Sequence, residues 1–150
     1  MPLDDPLDAY RLLIADVYEL AGQSRRTSEV LAHELEQTAA RWHLLSVVSD
    51  GPRTVAGAAR RLGLTRQSVQ RVVDDLVAAG QVQLGANPDH TRSPLVALTD
   101  RGRATLVELV QRSDGDRRAL LDQSQLTADE LNQARAVLTR LLAALRDQPS

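Results

Sequence analysis

The sequence contains no cysteine, no lysine and no phenylalanine among its 150 residues, and only one tryptophan and two tyrosines. The absence of cysteine excludes disulfide scaffolds, thiolate zinc sites, cysteine nucleophiles and thiol redox switches. Uncharged apolar stretches such as residues 44–48 are far shorter than the roughly 20 residues of a membrane-spanning helix. The acidic first residues lack the basic and apolar regions of a signal peptide. These absences predict a soluble cytoplasmic protein without membrane contact.

The residues that are present indicate one ordinary core and an uneven charge distribution. Hydrophobic residues make up 43% of the chain, which is enough for a core at this length. All 18 basic residues are arginines, and the formal net charge is −2. Residues 53–103 hold eight arginines against four aspartates, whereas the rest holds ten arginines against sixteen acidic residues. A basic middle is typical of a nucleic-acid-binding centre, although ordinary patchiness explains the charge alone equally well.

The first part of the chain is predicted to be helical. Pro6, with an aspartate before it as the cap, begins a long helix with Gly22 as a candidate kink. Its apolar residues recur at spacings of three and four, which predicts one apolar stripe; they are Leu7, Tyr10, Leu13, Ile14, Val17 and Leu20. Thr38 caps a second helix that contains Trp42 and ends at Asp50-Gly51-Pro52.

The end of the chain is predicted to be helical as well. Thr127 and Glu130 have the spacing of a capping box, which begins the last helix. In that helix Leu131, Leu138 and Leu145 repeat every seven residues and form an apolar seam. The seam and the N-terminal stripe together offer more apolar surface than one small central domain can cover, which predicts a homodimer.

The centre of the chain fits a helix-turn-helix template followed by a hairpin. Two helical patterns, 54–62 and 65–79, are separated only by Gly63 and Leu64. Ala59 allows the two helices to cross closely, and Gly63 tolerates the positive φ of the tight turn. The apolar residues predicted to face inward are Val55, Leu62, Leu64, Val69, Val72, Val73, Leu76 and Val77. Alternating residues at 81–84 and 96–98 flank turn-forming residues, which predicts a β-hairpin with a long tip.

Polar residues on the second central helix have the chemistry of base recognition. Thr65 caps this helix and leaves Arg66, Gln67, Ser68, Gln70 and Arg71 on its first exposed turns. Arginine pairs with guanine, glutamine pairs with adenine, and hydroxyls reach phosphate. Asp74 and Asp75 follow and would repel phosphate, so contacts are expected from the N-terminal half of the helix. Arg92, near the hairpin tip, is expected to reach phosphate or the minor groove.

These features together closely resemble the MarR family of winged-helix transcriptional regulators. The residues that carry the resemblance are Thr38 to Trp42 with Leu45, 51–55, 58–69, 76–80, Asn87, Pro88, Arg92, Leu98, Thr99 and Gly102. The resemblance implies a mainly α fold with a small β-hairpin wing (α+β). Its parts would be an N-terminal dimerisation helix in 1–37, a winged helix-turn-helix DNA-binding domain in 38–99 and C-terminal dimerisation helices in 100–150.

The resemblance also implies partners and a regulatory mode. It implies an obligate homodimer that binds a pseudo-palindromic operator in double-stranded DNA. Such a protein acts as a repressor and is released from DNA by a small aromatic or phenolic ligand. No cofactor is expected. Tyr10, Tyr18, Trp42 and His43 are the candidate effector contacts, although core roles explain them equally well. Where the family's wing often has an aspartate two residues before the arginine, this chain has His90. His90 therefore joins the candidate DNA-binding residues, and the carboxylate that would hold Arg92 is missing or shifted.

Other classes of function have weaker signals in the sequence. The three histidines are scattered, and neither a phosphate-binding glycine loop nor a Gly-x-Ser-x-Gly nucleophile turn is present. The chain is therefore predicted not to be an enzyme and to hold no metal. The remaining alternatives are a winged helix that binds proteins instead of DNA and a regulator without a small-molecule effector.

Overall fold

The computed structural model describes residues 3–149, which form six α-helices and three short β-strands. In chain order the elements are α1 (Pro6–Glu34), α2 (Ala39–Val47), β1 (Arg53–Thr54), α3 (Val55–Leu62), α4 (Arg66–Ala78), β2 (Val82–Gly85), β3 (Leu95–Leu98), α5 (Asp100–Ser124) and α6 (Ala128–Arg146). This mainly helical fold with a small antiparallel sheet confirms the predicted fold class.

Most helices begin where short-range chemistry in the sequence predicts, but α2 ends at Val47, before the predicted stop at Asp50-Gly51-Pro52, because residues 48–50 already form a turn. Asp5 caps α1 by accepting a hydrogen bond from the Leu7 amide at 2.9 Å, and α1 continues through Gly22. Four further helices begin after a threonine whose hydroxyl oxygen accepts a backbone N–H; these are Thr38, Thr54, Thr65 and Thr127. Gly63 ends α3 at a φ of 68°, in the left-handed region that favours glycine.

The described residues form two compact units, of which the first ends at Arg112 and the second begins at Ser113. The core lies in the first unit, where its largest fully buried side chains are Leu44, Leu45, Val69, Val73, Leu76, Val96 and Leu109. No helix within residues 3–149 combines the length and apolar character needed to cross a membrane. The three-part division by function, at 37/38 and 99/100, stays a prediction.

The sheet contains the predicted hairpin and one strand that the sequence analysis missed. β2 pairs with β3 in an antiparallel register that places Val82 opposite Leu98. β1 pairs with the other edge of β3, with Arg53 opposite Val96, so that the strand order is β1-β3-β2. Two residues are too few to show an alternating pattern, which is why the sequence did not indicate β1. The strand brings the N-terminus of α3 beside the hairpin.

Two residues of the predicted apolar set are exposed, contrary to expectation. Val69, Val73 and Leu76 are buried as predicted, but Val77 is 40% exposed and Leu64 is 44% exposed. At about 100° per residue, Val77 lies about 80° around α4 from Val69, at the edge of the packed stripe. Leu64 lies in the turn between α3 and α4, outside the packed faces of both helices.

Candidate nucleic-acid interface

The N-terminus of α4 is organised by two hydroxyl side chains. The Thr65 hydroxyl oxygen accepts from the Ser68 amide at 3.1 Å, and the Ser68 hydroxyl donates to the Thr65 carbonyl at 3.0 Å. The Thr65 hydroxyl also donates to the Ser68 hydroxyl at 3.0 Å. Both side chains therefore stabilise the first turn of the helix, and that they also contact DNA stays a prediction.

Four residues that are predicted to contact DNA bases lie on the exposed surface of α4, and we refer to them as the reading face. The reading face consists of Arg66, Gln67, Gln70 and Arg71, all exposed. Among residues 3–149, no carboxylate lies within 4.0 Å of the guanidinium nitrogens of Arg66 or Arg71. The positive charge of both side chains is thus not neutralised by an ion pair with those residues.

The two aspartates that follow the reading face have different partners. The Arg41 guanidinium, on α2, lies 3.3 Å from the Asp75 carboxylate and donates to it, so that part of the expected repulsion of phosphate is neutralised. Asp74 instead accepts a hydrogen bond from the Gln70 side-chain amide at 2.9 Å. The sequence does not indicate Arg41 as a partner of Asp75, because Arg41 lies 34 residues before it and no local pattern joins them.

The wing, residues 82–98, has a tip that is ordered by one asparagine. The Asn87 side-chain amide donates to the Ser93 carbonyl at 2.9 Å, and its oxygen accepts from the Asp89 backbone amide at 3.1 Å. The first bond joins the two sides of the tip, the second closes a short turn on one side, and neither involves a carboxylate. His90 and Arg92 lie exposed between them, and neither forms an ion pair with residues 3–149. Asn87 thus holds the loop that carries Arg92, a role that the sequence analysis did not assign to it.

A cleft of about 320 Å³ separates the start of α4 from the wing. Its lining residues come from α3, α4 and the wing, together with the residue that caps α3, and are Thr54, Val55, Ala56, Arg66, Gln67, Gln70, Leu84, Arg92, Ser93 and Pro94. Two arginines and two glutamines line this wing cleft, and none of its lining residues is acidic. It brings together four of the eight predicted DNA-binding residues; Thr65, Ser68, Arg71 and His90 are not among its lining residues.

The exit from the wing is a close contact between backbones. The Thr99 hydroxyl donates to the Gly80 carbonyl at 2.6 Å, and the Thr99 amide donates to the Gln81 carbonyl at 3.2 Å. The Gly102 amide in turn donates to the Thr99 hydroxyl at 3.1 Å. These bonds connect the end of α4 and the start of β2 to the first turn of α5, so the wing is anchored at its base.

The four candidate effector residues lie in different environments. Trp42 is only 3% exposed and belongs to the core, with its ring centroid 6.2 Å from that of His43. Tyr10 is 37% exposed and Tyr18 is 76% exposed, both on α1. Only Trp42 and His43 are therefore placed side by side, and effector contact stays a prediction for all four. Residues 3–149 contain no cluster of three or more histidine, aspartate or glutamate side chains suited to a metal ion.

The geometry defines a winged helix-turn-helix, in which α3 and α4 meet at a left-handed glycine and an anchored hairpin flanks the second helix. Residues 35–93 match the MarR family model. Uncharacterized proteins of Mycobacterium tuberculosis and Mycobacterium bovis are 48% identical over 139 residues, covering 93% of this chain and 96% of theirs.

Solved structures share the fold over most of the chain. The transcriptional regulator BldR from Sulfolobus solfataricus has a TM-score of 0.78 at 20% identity, covering 91% of this chain and 99% of its own. Apo wild-type MarR from E. coli has a TM-score of 0.70 at 26% identity, covering 87% and 96%. A mutant E. coli MarR in complex with operator DNA has a TM-score of 0.67 at 25% identity, covering 93% and 99%. The chain belongs to the MarR family of winged-helix transcriptional regulators.

Proposed function

We propose that this protein binds double-stranded DNA sequence-specifically as a homodimer and regulates transcription from a pseudo-palindromic operator. The observation that carries the proposal is the wing cleft, which places Arg66, Gln67, Gln70 and Arg92 around one concave surface without an acidic residue. Arginine and glutamine are side chains that read base edges, and an arginine on a loop reaches phosphate or the minor groove. The complex of an E. coli MarR mutant with operator DNA agrees with this proposal.

Within this proposal, α4 enters the major groove with its N-terminal turns. Gln67 and Arg71, four residues apart and exposed, face the same base pairs. Arg92 lies on the other side of the wing cleft and contacts the backbone or the adjacent minor groove. The α4 contacts therefore select the sequence, and the wing contact adds affinity that depends less on sequence.

A homodimer is supported by the apolar surface of α6. None of the residues of α6 is buried. Leu131, Leu138 and Leu142 are 37%, 37% and 41% exposed and lie on one side of the helix. A second copy of the chain would cover this stripe. In such a dimer the two winged helices would meet half-sites about one DNA turn, roughly 34–36 Å, apart.

Repression and release by a small aromatic or phenolic ligand are part of the proposal and derive from the family resemblance. The residues proposed to contact the ligand are Tyr10, Tyr18, Trp42 and His43. Because Trp42 is the only tryptophan of the chain and is buried beside His43, its fluorescence would report a ligand bound nearby.

Selection from a pool of random duplex DNA is the direct test of the function. We expect a two-fold symmetric site to be enriched, with an affinity that falls steeply with salt because phosphate contacts release counterions. Enrichment of no sequence, with or without candidate phenolic ligands, would contradict the proposal and would favour a winged helix that binds a protein partner.

Combined substitution of Gln67→Ala and Arg71→Ala should strongly reduce the affinity for the operator. Each bidentate base contact is worth about 1–3 kcal/mol, so we expect the pair to weaken operator affinity by roughly 100-fold or more. Arg118→Ala is the matched control, because it removes the same charge from an exposed residue of the second unit. Fluorescence anisotropy with the selected operator measures both variants. An unchanged affinity in the double variant would contradict the assignment of α4.

Substitution of Arg92→Ala should weaken binding to all sequences by a similar factor. Its exposed guanidinium has no ion-pair partner within residues 3–149 and is therefore available for a phosphate or the minor groove. We expect the slope of log affinity against log salt to fall by about one for each wing, while the preference among bases stays unchanged. A changed base preference with an unchanged salt slope would instead indicate base readout by Arg92.

A further inference from the structure

Gln70, a residue of the reading face, forms a hydrogen bond with Asp74 on the same helix. The Gln70 side-chain nitrogen donates to an Asp74 carboxylate oxygen at 2.9 Å, across one turn of the helix. Both side chains are exposed, and Gln70 also lines the wing cleft. A carboxylate is present here on the surface that the proposed function turns toward DNA, where it repels phosphate. Its charge therefore does not add to the affinity for DNA.

The negative charge of Asp74, unlike that of Asp75, is not neutralised by a cationic side chain of residues 3–149. Asp75 is paired with Arg41, whereas no cationic side chain of residues 3–149 lies within 4.0 Å of Asp74. An ionised carboxylate only accepts hydrogen bonds, so it holds the nitrogen end of the Gln70 amide and not the oxygen end. This contact determines which end of the amide points along the helix toward Asp74.

We propose that Asp74 is a positioning residue for base recognition, and that it makes Gln70 select adenine at one base pair of each half-site. The proposal rests on the proposed function. With one amide hydrogen held by Asp74, the Gln70 oxygen and its second amide hydrogen remain for a base edge. This acceptor and donor match the N6 amino group and N7 of adenine. The Asp74 carboxylate repels phosphate and so lowers the affinity for every DNA sequence, but it raises selectivity by holding the Gln70 side chain in place.

Four single variants and one double variant separate this role from simple charge removal. Asp74→Ala removes the partner of Gln70, and Gln70→Ala removes the amide that is proposed to contact adenine. Asp74→Asn removes the charge but keeps a side-chain oxygen that accepts from Gln70. Asp75→Ala is the matched control, because it removes one negative charge from the adjacent position without touching Gln70. The measurement is the relative affinity for all four base pairs at each position of the selected operator.

In the Asp74→Ala protein we expect the preference for adenine at one position per half-site to fall about 2- to 10-fold, the cost of immobilising one side chain. Asp74→Asn should retain this preference while binding all sequences more tightly. Asp75→Ala should leave the preference at every position unchanged. Combining Asp74→Ala with Gln70→Ala should reduce the preference no further than Gln70→Ala alone, because the two residues act as one unit.

Two results would overturn the proposal while leaving the proposed function intact. One is an Asp74→Ala protein with the preferences of the original chain at every position. The other is a preference that persists in Gln70→Ala but disappears in Asp74→Ala, because Asp74 would then contact the base itself. Absence of selective DNA binding by the unmodified chain would instead contradict the proposed function.

Discussion

Substitution of Gly102→Ala is expected to lower the midpoint of thermal unfolding by on the order of 10 °C, as measured by calorimetry. A Cβ atom at this position would lie 2.9 Å from the Gln81 carbonyl carbon and closer still to its oxygen. It would also lie 3.1 Å from a methyl carbon of Leu98. The carbonyl belongs to the backbone and cannot rotate away, so the start of α5 has to separate from the start of β2. Overpacking of this kind costs about 3 kcal/mol.

The displacement should also affect the wing. The Gln81 carbonyl accepts a hydrogen bond from the Thr99 amide. The Thr99 hydroxyl donates to the Gly80 carbonyl and accepts from the Gly102 amide. Moving α5 breaks this set of bonds at the base of the wing, so we expect operator affinity to fall even at temperatures where the variant is folded.

Gly115→Ala is the matched control for this prediction. Gly115 lies on the same helix, and a Cβ atom there has no neighbour within 4 Å. Alanine is favoured over glycine inside a helix, so this substitution should stabilise the protein by about 0.5–1 kcal/mol. Equal unfolding midpoints for the two variants would show that the contact between Gly102 and Gln81 does not constrain the fold.

Substitution of Leu138→Glu is expected to convert the proposed dimer into monomers. Leu138 is 37% exposed on α6 and lies in the same stripe as Leu131 and Leu145. Removing a leucine that the proposed dimer would bury and placing a charge in an apolar interface should cost at least about 3 kcal/mol. That cost corresponds to a more than 100-fold rise in the dimer Kd. Sedimentation velocity over a range of concentrations measures the change, and operator affinity should fall with it because each half-site is then bound separately.

Gln133→Glu tests whether the charge alone is responsible. It adds the same negative charge to α6, on the side away from Leu138. This control should remain dimeric and bind the operator normally. Trp42 fluorescence measures whether the first unit of the variant is still folded, because Trp42 is buried in that unit. The substitution itself lies on α6, which has no buried residue. A Leu138→Glu protein that stays dimeric would show that another surface forms the dimer.

Much of the reading face could be predicted because its determinants lie within a few residues of one another. Thr65 caps α4 through Ser68, three residues away, and the Val69, Val73 and Leu76 stripe places Gln67 and Arg71 on the opposite side. The pair of Gln70 and Asp74 also had a local signal, since residues four apart on a helix are neighbours. From the sequence, Asp74 is predicted only to repel phosphate, and its hydrogen bond with Gln70 is not predicted.

The errors and omissions have a common physical origin in contacts between distant parts of the chain. Val77 satisfies the apolar periodicity, but periodicity does not specify how wide the packed stripe is, and the residue is 40% exposed. Arg41 belongs to α2 and reaches Asp75 only because α2 packs against α4. Asn87 lies in a turn that the sequence predicted, yet its bond to Ser93 depends on how the two sides of the wing tip face each other.

The sequence by itself determined where most helices begin, the caps Thr38, Thr65 and Thr127, the left-handed turn at Gly63 and the family, because each depends on spacings of a few residues or on a pattern along the chain. Only the tertiary structure decided that β1 joins the sheet, that Arg41 neutralises Asp75 and that Arg66 and Arg92 line the same cleft. Hydrogen bonds and charges act over a few ångströms in space, and packing of the helices brings together side chains that are far apart along the chain.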